Sequence, residues 1–358
     1  MSRWLKGFFI LTLIFLVACG SDQTDDKPAK KVDLPGDLAP LKERAKVVIA
    51  EDGSASGAGF YIAEKLGYFD AYNIDVSFTT FTNSDDMLPA LASGKIDIAG
   101  GISSASFFNS IAQGINVKMI GDKGHNLPGN AYFSFVIGKD KQDEIKDYQD
   151  LKGKKVAVST ENAVDDYIYQ KMLESAGLTR KDVTFVLMPD FGNMLSAIAN
   201  GSIDAALQIE PEITKGVSDG IHVRLGDATD FAPDAQIAMV LASPEFASDR
   251  RDVAVRFMAA YIQALRDYND AFVKKGENLN QIIDIMTEYT PLDDKEQWKQ
   301  VAVTGLDPDG RLRVENIADQ YQFYQDRGAI VGKVNMEDAV DMSIVEEALK
   351  HIGTYDKK

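Results

Sequence analysis

From Lys46 onward the chain alternates short apolar runs with stretches of helical spacing. Lys46-Val-Val-Ile-Ala50 is a continuous apolar run of strand length, and Asp52 to Gly57 after it is turn-like. Phe60 to Leu66 places apolar residues three and four apart and stops at Gly67, which predicts a helix ended by glycine. Ile74 to Phe78 alternates apolar and polar positions, Asp86 to Ala92 returns to helical spacing, and Ile96 to Ala99 and Val117 to Ile120 are further short strands. Strands alternating with helices predict an α/β fold on mostly parallel sheet. Beyond about Pro233 the pattern is mainly helical, over 252–272, 279–287, 314–326 and 343–352.

One segment of this pattern recurs. Asp86-Met-Leu-Pro-Ala-Leu-Ala-Ser-Gly-Lys-Ile-Asp-Ile-Ala99 returns as Asn193-Met-Leu-Ser-Ala-Ile-Ala-Asn-Gly-Ser-Ile-Asp-Ala-Ala206. Each copy reads as a helix stopped at Gly94 or Gly201 and turned directly into a strand. Lys154-Lys-Val-Ala-Val158, a loop over 159–163 and a helix from Asp165 to Ala176 repeat the plan of Lys46 to Gly67. Two α/β lobes of similar plan follow. The helical tail then has to pack on one of them, leaving that lobe discontinuous in sequence.

The ends of the chain add compartment and charge. Arg3 and Lys6 precede an apolar stretch, Gly7 to Val17, too short to span a bilayer, which reads as a signal peptide over 1–18. It ends at Leu16-Val-Ala-Cys19, which looks like a lipobox, with Cys19, the sole cysteine, as the acylated residue. Several acyl chains on one residue would hold the protein at a membrane without spanning it. Residues 19–42 are rich in Asp, Lys, Pro, Ser and Gly and are expected to form a flexible tether. The formal net charge of −17 argues against a nucleic-acid partner, whose phosphates it would repel.

Further motifs carry a resemblance. Phe60-Tyr-Ile-Ala-Glu-Lys-Leu-Gly-Tyr-Phe69 with Ile74-Asp-Val76, the repeated Met-Leu-x-Ala-x-Ala-x-Gly-x-Ile-Asp, and Asp150-Leu-Lys-Gly-Lys-Lys-Val-Ala-Val158 form one group. Gln208-Ile-Glu-Pro211, Asp307-Pro-Asp-Gly310 and Val340-Asp-Met-Ser-Ile-Val345 form another. Together they resemble, from Lys46 to Gly353, the bacterial solute-binding proteins for nitrate, sulfonates, taurine and pyrimidine precursors of thiamine. The resemblance implies a type II periplasmic-binding-protein fold: lobe one from 43–135 plus 238–358, lobe two from 136–237, and a two-segment hinge crossing near Tyr132 to Gly138 and Ile237 to Leu241. It also implies a monomeric, extracytoplasmic, lipid-anchored binder without a cofactor, delivering a small molecule to the permease and ATPase of an ABC importer.

In open α/β sheets, ligands sit beyond the carboxyl ends of strands, where loops lead into helices whose first N–H groups are unpaired. That rule selects Ser54, Ser56, Gly57 and Ala58, then Asn83, Ser84 and Asp85, then Gly101, Ile102, Ser103 and Ser104 in lobe one. In lobe two it selects Thr160, Glu161, Asn162 and Ala163, then Asp190 and Phe191, then Gln208 and Glu210, with His125 and Asn126 on the hinge side. Ser84, Ser103, Ser104 and Thr160 serve equally well as helix N-caps, and Asp85 as a first-turn acid. Phe191 is the candidate stacking platform. These loops hold four acids, Asp85, Glu161, Asp190 and Glu210, no arginine, and Lys123 as the one nearby cation. An oxyanion site often uses a bidentate Arg, so the inventory favours a neutral or amine-bearing, heteroaromatic solute such as a vitamin precursor, with a sulfonate, nitrate or other small anion held by helix N-termini as the alternative.

Other classes find less support. His125, His222 and His351 are too scattered for a metal cluster. Gly57-Ala-Gly59 does not continue to a third glycine, and no Gly-x-Ser-x-Gly elbow is present. The family also resembles fungal enzymes that build the thiamine pyrimidine, but their cysteine-rich motif is missing. The chain is therefore expected not to be an enzyme. A solute sensor docking to a membrane receptor is a third reading.

Overall fold

The computed structural model describes Val32 and residues 34–81, 84–127, 129 and 132–355. The expected signal peptide and Cys19 lie outside the described residues, as does Asn83. No described helix is long and apolar enough to cross a membrane.

Ten strands form two five-stranded sheets. β1 (Ala45–Glu51), β2 (Ile74–Thr80), β3 (Ile98–Ile102), β4 (Lys118–His125) and β10 (Gln236–Ala242) make the first, in the order β2-β1-β3-β10-β4. β5 (Phe133–Gly138), β6 (Lys155–Val158), β7 (Thr184–Leu187), β8 (Ala205–Ile209) and β9 (His222–Asp227) make the second, in the order β7-β6-β8-β5-β9. β1 runs parallel to β2 and β3, and β6 to β7 and β8. The fourth strand in each order, β10 or β5, runs antiparallel to both neighbours. Each sheet therefore contains one strand delivered from the far side of a crossing, which is the expected type II plan.

The chain leaves the first sheet after His125 and enters the second at Phe133, then returns between Asp227 and Gln236. The crossings thus precede the expected positions, most of which fall inside β5 and β10. Both strands are wholly buried apolar runs, and an apolar run does not reveal where a strand changes sheet.

The repeated sequence takes equivalent places. The helices Ser84–Ala92 and Phe191–Ala199 lead through Gly94 (φ +69°) and Gly201 (φ +72°) into β3 and β8. Only glycine adopts that left-handed turn at no steric cost. Asp97 then accepts the N–H of Val48 in β1, and Asp204 that of Lys155 in β6, each at 2.8 Å. The shared Ile-Asp thus locks the third strand of each lobe to the first.

Period-two alternation divides the first sheet between two cores. Val47, Ile49, Ile98 and Val240 face the helices Ala58–Lys65, Arg251–Tyr268, Leu279–Tyr289 and Ser343–Ile352; Ala50, Ala99, Met239 and Leu241 face Ala105–Ala112 and Val314–Asp326. The C-terminal helices accordingly complete lobe one. Part of the expected tether does so too. Leu34, Leu38 and Leu41 pack on this core, and Leu41 N–H donates to the Tyr72 carbonyl at 3.1 Å. Three leucines in a polar stretch gave enough apolar surface to dock it.

Candidate functional site

The carboxyl ends of β1, β3, β6 and β8 converge, and two joined cavities lie where they meet. The inner one is narrow and is lined by Asp52, Gly100, Gly101, Ile102, Lys123, Tyr132, Phe133, Ser159, Thr160, Pro189, Phe191 and Ala238. The outer one is wider and is lined by Asp52, Gly53, Ser54, Thr80, Phe81, Asp190, Phe191, Gly192, Ile209, Pro211, Glu212 and Pro291. Asp52 from lobe one and Phe191 from lobe two belong to both walls.

The floor is a buried polar cluster. Lys123 of β4 donates to Glu51 Oε1 at 2.9 Å and to Ser56 Oγ at 2.8 Å, and lies 4.0 Å from Asp52. Tyr132 donates to Ser56 Oγ at 3.0 Å, and Ser54 and Ser56 share a hydrogen bond of 2.8 Å. The Lys123 side chain is 2 % exposed, whereas that of Asp52 is 25 % exposed and presents its charge to the cavity. Burial drives the Glu51 carboxyl up to about 8 against the pull of Lys123. Burial also opposes the Lys123 charge, but Glu51 and Asp52 outweigh it and raise the ammonium above its ordinary value. Asp52 is lowered despite burial, by Lys123 and by hydrogen bonds from Ser54. Burial raises the Tyr132 phenol to about 12, which keeps it a donor.

Of the sequence candidates, Ser54, Thr160, Asp190 and Phe191 line the cavities, as do Gly101 and Ile102. Ser56 sits one layer beneath, and Gly57 is buried against the Tyr61 ring. Thr160 N–H and Ser159 are held by the buried Asp165, and Asp190 caps its own helix by accepting Asn193 N–H at 2.6 Å. The position of the Asp85 side chain is not among those described.

Several candidates do other work. Ser104 is the N-cap of Ala105–Ala112, accepting Phe107 N–H at 3.1 Å. The Ser103 carbonyl accepts Val164 N–H at 3.1 Å, and the Asn162 carbonyl accepts Ala105 N–H at 2.8 Å. These three residues therefore form a seam between the lobes, in which each lobe satisfies the helix start of the other. Glu210 is buried and fully engaged, accepting from Thr214 N–H and hydroxyl, from Arg224 at 2.7 Å and from Ala302 N–H at 3.1 Å. Three of these bonds fall on Oε1 and one on Oε2, and the bond from Ala302 makes Glu210 a link between the lobes. Asn126 fixes a crossing, through Ala232 and Tyr132 N–H, and His125 is bonded to Asp122 and Arg313 away from these cavities. Glu161 is exposed and lines neither cavity. Gln208 is spent on the Phe191 carbonyl.

The strand-end rule passed over Asp52, Tyr132, Phe133, Pro189, Glu212 and the floor residue Glu51. An acidic pair closing the apolar run of β1 was the available signal for Glu51 and Asp52. Lys123 was noted only as a nearby cation, because β4 continues past Ile120 through Gly121-Asp-Lys-Gly-His125, polar residues whose partners lie far away in sequence.

Comparison with known proteins bears on the family and the fold. The model of the family described as "NMT1/THI5 like" matches residues 54–270. A protein of Bacillus subtilis (strain 168) named for binding aliphatic sulfonates is 28% identical over 359 residues, covering 96% of this chain and 97% of that one. The alkanesulfonate-binding protein from Xanthomonas axonopodis pv. citri, solved bound to MOPS, superposes with a TM-score of 0.67 at 17% identity, over 84% of this chain and 99% of that one. The periplasmic nitrate-binding protein from Synechocystis PCC 6803 gives 0.71 at 12% identity, over 86% and 89%. The two solved structures establish the fold.

Proposed function

The chain belongs to the NMT1/THI5 like family, and from that premise we propose that it is the extracytoplasmic solute-binding component of an ABC importer. It captures one small molecule in the double cavity between its lobes and hands it to a membrane permease with its ATPase. Acylated Cys19 anchors it, and it acts as a monomer. The observation that carries this reading is the shared wall: Asp52 from one lobe and Phe191 from the other border the same space. Hinged lobes that share a wall bury a solute when they close.

The wall chemistry favours a neutral or amine-bearing aromatic solute. Asp52, Asp190 and Glu212 face the space, Lys123 is the one lining cation among the described residues, and Phe191, Tyr132 and Phe133 offer ring faces. A second reading, a sulfonate or similar oxyanion, is favoured by that same lysine and by the sulfonate-binding proteins the chain is similar to. A thermal-shift screen of mature protein against pyrimidines, other vitamin precursors, aromatic amines, sulfonates and nitrate separates the two. A binder at a hundredfold excess over its Kd stabilises by about 2.7 kcal/mol. An amine or pyrimidine hit supports the first reading and a sulfonate hit the second. Chemical turnover of the hit would replace the transport account with an enzymatic one.

A further inference from the structure

Beneath the cavity floor one carboxyl oxygen has no partner. Glu51 Oε1 accepts both available donors, Lys123 Nζ at 2.9 Å and Asp52 N–H at 3.1 Å. Oε2 is buried and accepts from nothing among the described residues. It lies in the space where a side chain at position 100 would begin: a Cβ on Gly100 would stand 2.3 Å from it and 2.3 Å from Lys123 Cε. Gly100, Lys123 and Asp52 all line the inner cavity, so the glycine leaves this oxygen immediately beneath the wall. A buried carboxyl oxygen without a partner is destabilising, and a bound solute can satisfy it.

The neutral and ionised forms of this group present opposite chemistry. With Oε1 taken by two donors, Oε2 is the oxygen left for a solute; the neutral acid is a donor, and it also hydrogen-bonds the Asp52 carboxyl. Once ionised, Oε2 accepts and carries charge. The charged or titratable groups facing it are Asp52 on its own strand, Lys123 of β4, Tyr61 and Tyr261 from the helices Ala58–Lys65 and Arg251–Tyr268, and Tyr132 from the first crossing. The three phenols are raised by burial and stay neutral, which leaves Glu51 as the titrating member.

We propose that Glu51 sets the charge selectivity of the cleft: a solute with a cationic N–H group binds as Glu51 releases one proton to solvent, and an oxyanion binds with that proton kept. This rests on the solute-binding reading above and adds to it the residue that chooses the solute's charge. Raising of the Glu51 carboxyl by burial places the exchange near neutral pH.

Matched aromatic probes test it: benzamidinium and benzenesulfonate, titrated calorimetrically from pH 6 to 9 into wild type and Glu51→Gln. Repeating pH 7 in two buffers of different ionisation enthalpy counts the protons released. Wild type is expected to release about one proton on binding benzamidinium, with affinity rising roughly tenfold per pH unit up to about pH 8. Benzenesulfonate affinity is expected to hold to about pH 7.5 and fall above 8. Glu51→Gln, fixed as a neutral donor, is expected to lose both dependences and to favour the sulfonate. Proton release of zero in wild type, or equal pH profiles in the two proteins, overturns the inference even if solutes bind. The wild-type proton count stands alone should the variant not fold. Binding of neither probe counts against the inference, and failure of the entire solute panel counts against the reading beneath it.

Discussion

A buried carboxylate meets the end of β1 and the end of β6, but the two come from different elements and are used differently. Glu51 is the last residue of β1, whereas Asp165 reaches the loop after β6 from the first turn of the helix Val164–Ser175. At the end of β6, Asp165 accepts Ser159 N–H at 2.6 Å, Ser159 Oγ at 2.8 Å and Thr160 N–H at 3.3 Å, while its other oxygen accepts Asp166 N–H at 3.0 Å. Every nearby donor turns inward, and the loop is locked. At the end of β1, Glu51 meets Lys123 and leaves one oxygen unbonded beneath the cavity wall. The carboxylate beside the strand end thus braces a loop in lobe two and keeps a free oxygen beneath the wall in lobe one.

The largest expected effect breaks the brace. Asp165→Ala strands two backbone donors in a buried loop and is expected to lower stability by about 2–4 kcal/mol in urea unfolding. Glu51→Gln leaves Oε1 in place and is expected to change stability much less. Equal losses would erase the distinction between the two sites.

The next effect concerns the wall the lobes share. Phe191→Ala is expected to weaken solute affinity about tenfold in calorimetry and, because the half-buried ring also packs on the cores of lobe two, to lower the stability of the free protein by about 1–2 kcal/mol.

The carboxylates also predict how stability depends on pH. Both are raised by burial, Asp165 from 3.8 to about 6 and Glu51 from 4.5 to about 8. The folded state therefore holds their protons more tightly than the unfolded chain does. Their contribution to stability is full in acid, below the unfolded values, and is lost as pH rises through the folded ones. Asp165 accounts for loss between about pH 4 and 6, and Glu51 for loss up to about 8, each with a slope of at most about 1.4 kcal/mol per pH unit. Denaturation of Glu51→Gln across pH 5–8 is expected to lack the second component, and an unchanged slope would remove the burial argument.

The smaller effects test the repeat and the seam. Asp204→Ala is expected to cost about 1 kcal/mol, and Asp97→Ala more, because Asp97 also pairs with Arg250 at 2.6 Å. Arg327, at the end of the helix Val314–Asp326, reaches the buried Asp166 of lobe two at 3.3 Å, and Arg327→Ala is expected to cost less than about 1 kcal/mol, because Arg180 still pairs with that carboxylate.

These contrasts also explain what was legible in the sequence. Period-two and helical spacing located β1, β2 and the C-terminal helices to within a few residues, and the repeated Met-Leu-x-Ala-x-Ala-x-Gly-x-Ile-Asp marked the two lobes, because burial of a regular face writes itself into local pattern. Ser103, Asn162 and Glu210 misled because a polar residue at a helix start looks the same whether it meets a solute, caps its own helix or meets the other lobe. Lys123 and Glu51 were hard to find because their partners, brought in by β4 and β1, are over 65 residues apart in sequence. Phe191, an aromatic residue between Asp190 and Gly192 with no local reason to be there, lines both cavities.

Capture of a solute between the lobes is tested most directly by hydrogen exchange on the full mature chain with and without a solute from the screen. Joint protection is expected in segments 98–104 and 156–162, one from each lobe, at saturation of a single site. Protection confined to one lobe, or centred on a surface away from Asp52 and Phe191, would contradict the account.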